Sequence, residues 1–239
     1  MGQPEERFNS LRRHISKGHG AGMRAGRILR NAVKVGVVAA ALAFLRQRRR
    51  PIPHPPPLTF LFENPFVGAV VGPELLIRRL NLVPGMRVLD AGCGPGRLTI
   101  PLARAVGPTG EVVALDGQSA MLAKLEERLV AEDITNVRPL QAGLGEGVVE
   151  GPFDRVVLAM VLGEVRDRKA AVRELYAALR PGGILSVTEV FGDPDYRRPA
   201  TVRREVEVAG FRLAERYGSF PGYTLNFEKP DTPRVANKR

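Results

Sequence analysis

The chain has 239 residues, of which 44% are hydrophobic and 26% are charged, so it is long enough to bury a sizeable core. Its single cysteine, Cys93, excludes a disulfide framework and a zinc site built from several cysteines. The three histidines, His14, His19 and His54, all precede residue 55. Their position excludes Ser-His-Asp and Cys-His catalysis from the rest of the chain.

The net charge of +11 is concentrated at the N-terminus. Residues 1–50 contain 12 Lys and Arg against two Asp and Glu, whereas residues 51–239 contain 24 basic and 23 acidic residues. A nucleic-acid-binding domain spreads basic residues over its own face, and residues 51–239 have no such excess. We therefore expect a basic N-terminal arm over residues 1–50 and no nucleic-acid partner.

An apolar stretch within the arm, residues 28–45, predicts a short helix. Its uncharged run, Val35–Leu45, spans about 17 Å as a helix, against about 30 Å for the hydrocarbon core of a bilayer. Arg30 and Lys34 share one helix face, from which their side chains can reach lipid headgroups. A cleaved signal peptide is not expected, because arginines follow the run where a small-residue cleavage site would lie. Membrane contact through residues 28–50 and a helix packed against protein both remain open.

A proline-rich segment, residues 51–57, follows the arm. Its five prolines forbid a helix and favour an extended, semi-rigid spacer. We therefore place a domain boundary there, with the main domain over residues 58–239.

Helical and strand patterns alternate from residue 73 onward. The predicted helices are 73–80, 98–106, 119–132, 169–179 and 199–209, and the predicted strands are 87–90, 112–115, 137–140, 153–160, 184–190, 211–217 and 223–228. Such alternation is typical of an α/β fold with a mostly parallel sheet and helices on both faces. The segment 218–222 is too short for a crossover helix, so the last two strands should form an antiparallel hairpin at the edge.

A glycine-rich loop, Gly92–Gly96, follows the first strand. Ligands of such sheets bind beyond the carboxyl ends of the strands, near the point where the strand order reverses. The dinucleotide fingerprint requires glycine where this chain has Arg97, and no Gly-Lys-Ser/Thr follows, so both that fingerprint and a P-loop are excluded. The loop has the pattern Gly-x-Gly-x-Gly instead, directly preceded by Asp90 and Ala91.

This loop and three further motifs resemble the class I S-adenosylmethionine-dependent methyltransferases. Asp116 ends the second strand, Phe153–Val157 resembles the family's fourth strand, and Leu179–Leu185 resembles the helix stop before the fifth. The resemblance covers residues 64–228, and within the family the chain is similar to small-molecule methyltransferases of the quinone-biosynthesis type. It implies a doubly wound, Rossmann-like sheet of seven strands and S-adenosylmethionine as the cofactor.

The resemblance also implies which residues contact the cofactor. Gly92, Gly94 and Gly96 would bracket its methionine part with Asp90 nearby, Asp116 and Gly117 would hold the ribose and the adenine edge, and Met121 would pack below. Gln141 and Ala142 stand where relatives have Gly-Asp-Ala, so the contact to the adenine amine falls to Gln141 or to the backbone.

Methyl transfer from a sulfonium is an in-line displacement in which the protein orients a nucleophile and excludes water. A general base is needed only if the nucleophile arrives protonated. The candidates are Glu164, Glu189, Asp193 and Asp195, and Glu164 is the one that we single out as a candidate catalytic residue. A salt-bridged or solvated side chain is the competing interpretation of Glu164. Relatives often carry a histidine before this Glu, where the chain has Gly163, so no histidine relay is expected.

The residues after the fourth strand, 159–162, are apolar and suit a hydrophobic small molecule or lipid. We therefore predict a methyltransferase of the cytoplasm that acts on a small, apolar or lipid-like acceptor and holds no metal. The alternatives are a non-catalytic S-adenosylmethionine-binding module tethered by the arm, and a protein N-methyltransferase. The acceptor atom and the oligomeric state stay open.

Overall fold

The computed structural model describes residues 72–231, which lie within the compact unit Pro51–Arg239. The predictions for the basic arm, for the apolar helix 28–45 and for the linker 51–57 therefore lie outside the described residues. Within residues 72–231, no helix has the length and apolar character needed to cross a membrane.

Strands and helices alternate along the described chain, as the sequence predicts. The helices are α1 (Pro73–Leu80), α2 (Thr99–Val106), α3 (Ser119–Ala131), α4 (Arg168–Ala178) and α5 (Pro199–Glu207). The strands are β1 (Arg87–Ala91), β2 (Glu111–Asp116), β3 (Val137–Gln141), β4 (Phe153–Ala159), β5 (Leu179–Val190), β6 (Arg212–Gly218) and β7 (Gly222–Glu228).

The seven strands form one sheet in the order β3-β2-β1-β4-β5-β7-β6. Strands β1 to β5 pair with one another in parallel. Strand β7 is antiparallel to both β5 and β6. The predicted fold class, including the antiparallel hairpin at the edge, is confirmed. The strand order reverses between β1 and β4, so the carboxyl ends of these two strands mark the crevice where such sheets bind ligands.

The sheet has a hydrophobic core on each face. Val88 of β1 packs in a cluster with residues of α1 and α2, whereas its neighbour Leu89 packs in a cluster with residues of α4 and α5. Successive side chains of a strand point to opposite faces. The apolar runs of β1, β2 and β4 are therefore explained by burial on both sides.

Strand β5 begins earlier than the sequence predicts. The prediction that Arg180–Gly183 only stops a helix, with the strand starting at Ile184, was wrong, because the strand begins at Leu179. Leu179 pairs with Phe153, and the N–H of Gly182 donates to the carbonyl oxygen of Lys229 at 2.8 Å. Residues 180–183 form a bulge in β5, since Ile184 is the next residue to pair with β4, and the hydrogen bond to Lys229 holds this bulge in the sheet.

A polar contact holds α1 against the inserted strand β7. Nη1 of Arg79 donates to Oγ1 of Thr224 at 2.8 Å, and Nδ2 of Asn226 donates to the carbonyl oxygen of Arg79 at 2.8 Å. Thr224 also shares a hydrogen bond of 2.9 Å with Thr188 of β5. Since Thr224 and Asn226 are buried, the helix supplies the partners that these polar side chains need.

Replacing Arg79 should therefore destabilise the domain. We expect Arg79→Ala to lower the free energy of unfolding by about 1–3 kcal/mol, because it leaves buried Thr224 with one partner fewer. Urea denaturation of the full chain measures this change. Arg78→Ala is the matched control, since the neighbouring Arg78 is exposed, and an equal loss in both variants would contradict the assignment.

A buried carboxyl lies near the end of β5. Glu189 is 1% exposed, and its Oε2 accepts a hydrogen bond from the N–H of Arg197 at 3.2 Å. Within residues 72–231 its other oxygen has no hydrogen-bond partner. Burial raises the pKa of Glu189 to about 8, the carboxyl groups of Asp193 and Asp195 add to the rise, and Arg197 opposes it. The side chain is therefore protonated at neutral pH beneath the segment 191–198.

This carboxyl should make stability depend on pH. Between the unfolded-state pKa of about 4.3 and the folded-state pKa of about 8, the folded state holds a proton that the unfolded state has lost, so stability falls as pH rises, by up to about 1.4 kcal/mol per unit, and the slope fades above pH 8. Asp90, whose pKa burial raises to about 6, acts in the same direction at lower pH. Glu189→Gln should remove the slope, because a neutral amide replaces the carboxyl. Urea denaturation across this range tests it, and an unchanged slope in the variant would refute the assignment.

Candidate functional site

A cavity of about 820 Å³ opens at the carboxyl ends of β1, β2 and β4. Its position is the crevice beside the strand-order reversal, where ligands of doubly wound sheets bind. The volume falls within the roughly 300–1,000 Å³ that is typical of small-molecule sites. The cavity therefore has the place and the size of a ligand site.

The glycine loop after β1 forms one wall of this cavity. The N–H groups of Gly92 and Cys93 both donate to the carbonyl oxygen of Leu115, at 2.7 and 2.9 Å, which ties the loop to β2. Gly92 has φ +77°, and a Cβ there would lie 2.3 Å from Cγ2 of Val161. Gly94 has φ +53°, and no described atom lies within 4 Å of the place where its Cβ would stand. A ligand can thus approach the backbone at Gly94, where no side chain intervenes.

The third glycine of the loop has a different surrounding. Gly96 does not line the cavity, and a Cβ there would lie 2.5 Å from Cδ1 of Leu125 on α3. The missing side chain lets α3 pack against the loop. The prediction that Gly96 contacts the cofactor stays a prediction, and the geometry gives this glycine a packing role.

Asp116 lies at the base of the cavity, at the end of β2. Its Oδ2 accepts from the N–H of Gly94 at 2.9 Å, and its Oδ1 accepts from the N–H of Gln118 at 2.8 Å. Each carboxylate oxygen has two lone pairs, so both oxygens keep capacity for ligand hydroxyl groups. The residue is 8% exposed, and the side that remains accessible lines the cavity.

Two further ionisable groups of this wall are buried. Asp90 accepts a hydrogen bond from the hydroxyl of Thr99 at 2.7 Å, and burial raises its pKa to about 6 while that bond and Arg97 oppose the rise. Burial also raises the pKa of the Cys93 thiol far above its usual range, and the charges of Asp90 and Asp116 add to this. The thiol therefore stays protonated at neutral pH, and a nucleophilic role for Cys93 has no support.

The remaining predicted contacts lie along the cavity beside Asp116. Gly117, Met121, Gln141 and Ala142 all line it. The N–H of Ala142 donates to the carbonyl oxygen of Asp116 at 3.2 Å, so the ends of β2 and β3 adjoin. The structure thus brings eight of the nine predicted cofactor residues to one cavity, and Gly96 is the exception.

The opposite wall comes from the turn after β4. Met160, Val161 and Glu164 line it, and Met160 has φ +60°, which is unusual for a residue other than glycine. The N–H of Met160 donates to the carbonyl oxygen of Thr188 at 2.8 Å, which fixes the turn to β5. This wall is apolar at Met160 and Val161, whereas Glu164, Arg166 and Asp167 contribute charged groups to it. The other candidate bases, Glu189, Asp193 and Asp195, do not line the cavity.

The sequence did not point to several residues of the cavity wall. Arg97 and Arg166 contribute guanidinium groups, and residues 143–146 form a loop along the rim. The sequence analysis noted Arg97 only because it occupies the position where a dinucleotide-binding loop has glycine, and it did not predict that Arg97 lines the cavity. No pattern marked Arg166, because the turn after β4 shows no periodicity.

The comparisons with known proteins agree with this geometry. The family model "Methyltransferase domain" matches residues 88–183. A demethylmenaquinone methyltransferase from Geobacillus sp. (strain WCH70) is 33% identical over 111 residues, which are 46% of this chain and 47% of the relative. A ubiquinone/menaquinone biosynthesis C-methyltransferase from Shewanella halifaxensis is 34% identical over 139 residues, which are 57% of this chain and 53% of the relative. The chain spans about half the length of these curated relatives.

Solved structures share the fold. A SAM-dependent methyltransferase from Aquifex aeolicus matches with a TM-score of 0.68 and 21% identity, over 74% of this chain and 99% of the other. The [4+2]-cyclase SpnF matches with a TM-score of 0.60 and 19% identity, over 66% of this chain and 79% of the other. The second match shows that this fold also serves another reaction, so the sequence relatives carry the assignment. Residues 88–183 therefore match the methyltransferase domain family, and the relatives together with the fold imply S-adenosylmethionine as the cofactor.

Proposed function

We propose that the chain transfers the methyl group of S-adenosylmethionine to a small, apolar or lipid-like acceptor. One observation carries this proposal: the cavity joins a polar wall, with the open backbone of Gly94 beside Asp116, to an apolar wall at Met160 and Val161. A polar cofactor and an apolar acceptor could occupy the two ends together. The names of the relatives, demethylmenaquinone methyltransferase among them, favour a quinone-type acceptor.

The residues of the polar wall fit the cofactor. A side chain at Gly94 would fill the space over the loop, and its absence leaves room for the methionine part beside Asp90. The Asp116 carboxylate suits the two ribose hydroxyls, because a charged acceptor binds hydroxyl groups strongly. Gln141 and Ala142, at the end of the next strand, would meet the adenine with Met121 beneath it.

When bound, the cofactor supplies an electrophilic methyl group on a sulfonium sulfur. The chain's own residues then have to orient the acceptor and exclude water. The side chains of Met160 and Val161 give the acceptor an apolar surface, and Val161 also contacts the glycine loop closely, since it stands where a Cβ of Gly92 would lie. An acceptor held by the turn after β4 would therefore lie next to the glycine loop, where the cofactor would bind.

Glu164 is the side chain that we propose as general base. It lines the apolar wall, and its N–H donates to the carbonyl oxygen of Val161 at 2.9 Å, which fixes the turn. Glu189 is not a candidate, because it does not line the cavity and burial raises its pKa to about 8, which favours the protonated form at neutral pH. A phenolic or quinol acceptor arrives with its hydroxyl group protonated. A carboxylate at this wall could remove that proton as a general base.

We also propose a cytoplasmic location, with residues 28–50 contacting the membrane. The single cysteine is compatible with a reducing compartment. The arginines that follow the apolar stretch of the arm suit anionic headgroups. Membrane contact would bring the domain to an apolar acceptor dissolved in lipid.

Binding of the cofactor should require the polar wall. We expect Asp116→Ala to weaken binding of S-adenosylmethionine at least tenfold (about 1.5–3 kcal/mol), because the ribose loses a charged acceptor. Gly94→Ala should weaken it comparably, because its methyl group would enter the space that the ligand needs. Isothermal titration calorimetry on the full chain measures both.

Each binding variant has a matched control. Glu126→Ala also removes a carboxylate, from the exposed face of α3. Gly107→Ala imposes the same kind of strain, since Gly107 has φ +67° and open space around the Cβ position, but it lies outside the cavity. Affinities that fall equally in variants and controls would contradict this assignment of the site.

Glu164→Gln should lower the turnover number and leave cofactor binding unchanged. We expect a loss of about 10²–10⁴-fold for an acceptor that must lose a proton. The assay follows the labelled methyl group from S-adenosylmethionine into demethylmenaquinol, which is demethylmenaquinone reduced chemically beforehand and dispersed in detergent under anaerobic conditions. Full activity in the variant would exclude Glu164 as the base.

The same label distinguishes the alternatives. Incorporation into a lipid extract supports the proposal, whereas incorporation into protein with none into lipid supports a protein N-methyltransferase. Intact binding with no transfer to lipid, soluble metabolites or protein would leave the non-catalytic binding module as the function.

A further inference from the structure

Two phenylalanines form an exposed aromatic patch at the carboxyl edge of the sheet. Phe191 follows β5 and Phe220 lies in the turn between β6 and β7, and their side chains are 60% and 73% exposed. Among the large exposed apolar side chains of residues 72–231, these two are the aromatic ones. Their ring centroids are 5.2 Å apart, and the ring of Tyr196 lies 5.8 Å from that of Phe191. We call Phe191, Phe220 and Tyr196 the aromatic patch.

The patch is held in place by backbone contacts. The N–H of Phe191 donates to the carbonyl oxygen of Pro221 at 2.6 Å, which joins the two segments that carry the phenylalanines. The hydroxyl of Tyr223 donates to the carbonyl oxygen of Arg197 at 2.5 Å and anchors the far end of the segment 191–198. Exposure of both rings is therefore built into the fold and does not come from a loose loop.

The segment 191–198 also packs against the apolar wall of the cavity. Gly163 lies in the turn after β4, and a Cβ there would stand 2.0 Å from the carbonyl oxygen of Asp195. The next residue, Glu164, lines the cavity. The aromatic patch and the acceptor end of the cavity are therefore supported by two segments in direct backbone contact.

The size of the patch argues against a protein partner. A phenylalanine presents roughly 150–250 Å² when it is fully buried, so two partly exposed rings offer about 300 Å². A stable protein interface buries about 800 Å² on each partner. Insertion into a bilayer needs much less area, because aromatic rings are favoured at the boundary between headgroups and hydrocarbon.

Two exposed basic side chains belong to the segment 191–198 and to the cavity lining. Arg198 is exposed at the end of the segment 191–198, and Arg166 is exposed at the rim of the cavity. Each basic residue close to an anionic membrane adds to the attraction. The arm contributes further charge, with 12 Lys and Arg in residues 1–50.

We propose that the aromatic patch docks on an anionic phospholipid bilayer. Phe191 and Phe220 enter the boundary of the lipid, Arg166 and Arg198 meet headgroup phosphates, and the cavity opens toward the membrane. An apolar acceptor then passes from lipid to the wall at Met160 without crossing water. The passage of an acceptor from the lipid rests on the proposed function. The docking on the bilayer does not, because vesicle binding is measured without any methyl acceptor.

The test is vesicle co-sedimentation of the full chain. The vesicles contain phosphatidylcholine alone or phosphatidylcholine with phosphatidylglycerol, and they are used at low and high salt. We expect the double variant Phe191→Ser/Phe220→Ser to lower partitioning onto the anionic vesicles at least about tenfold. The loss should persist at high salt, because salt screens the charged arm and leaves apolar insertion intact.

The control is Val130→Ser, which removes an apolar side chain that is 84% exposed on α3, away from the cavity mouth. Partitioning of this variant should equal that of the unmodified chain. Equal partitioning of the double variant would overturn the proposal. A double variant that changes the oligomeric state in sedimentation analysis, with unchanged partitioning, would identify the patch as an interface between copies and overturn it as well.

Failure of the proposed function gives a different result. If the unmodified chain transfers no methyl group to demethylmenaquinol, while vesicle partitioning and its dependence on the two phenylalanines are intact, the activity is refuted and the docking is supported. The double variant should keep its calorimetric affinity for S-adenosylmethionine and its activity on acceptor in detergent, and lose activity on acceptor embedded in vesicles.

Discussion

The attachment of the glycine loop to the end of β2 determines the rest of the site. The carbonyl oxygen of Leu115 accepts two N–H groups from the loop, and the next residue, Asp116, accepts a third from Gly94. Three donors of one turn are thus satisfied by two consecutive residues of the neighbouring strand. A loop held in this way keeps its backbone open to a ligand and places a carboxylate directly beside it.

The strand order makes this attachment useful. Because the order reverses between β1 and β4, the crevice beside the loop is not covered by a crossover connection. The turn after β4 fills the other side, and Val161 approaches Gly92 so closely that a side chain there would clash. A polar surface at the glycine loop and an apolar one at Met160 and Val161 therefore adjoin in one cavity, and the acceptor that we propose rests on this arrangement.

Features that depend on neighbours in sequence could be predicted, whereas features that depend on distant contacts could not. The alternation of elements and the glycine loop are written in local patterns, and all element bounds except the start of β5 agree within one or two residues. The early start of β5 depends on the pairing of Leu179 with Phe153 and on the hydrogen bond between Gly182 and Lys229. The packing role of Gly96 depends on the contact with Leu125. Neither partner can be identified from spacing alone.

The same distinction applies to Glu189 and to the aromatic patch. A glutamate at the end of a strand has the sequence signature of a catalytic carboxylate, and only the fold of the segment 191–198 shows that it is buried and protonated. Phe191 and Phe220 meet only because β7 inserts between β5 and β6. Neither the burial of Glu189 nor the contact between Phe191 and Phe220 can be predicted from a local sequence pattern.

The two walls of the cavity consequently differ in how they are held. Hydrogen bonds between backbone groups tie the cofactor wall to β2, and the Leu115 carbonyl does not titrate. The turn after β4 packs at Gly163 against the segment 191–198. This segment lies over the Glu189 carboxyl, whose pKa is raised by burial and by the nearby carboxyl groups of Asp193 and Asp195, so that its protonated form is favoured. Loss of that proton would charge a buried group beneath the segment that carries Phe191 and supports Glu164. Above about pH 8 the segment 191–198 should therefore change its packing, whereas the buried carboxyl of the glycine-loop wall, Asp90, titrates at lower pH, near its pKa of about 6.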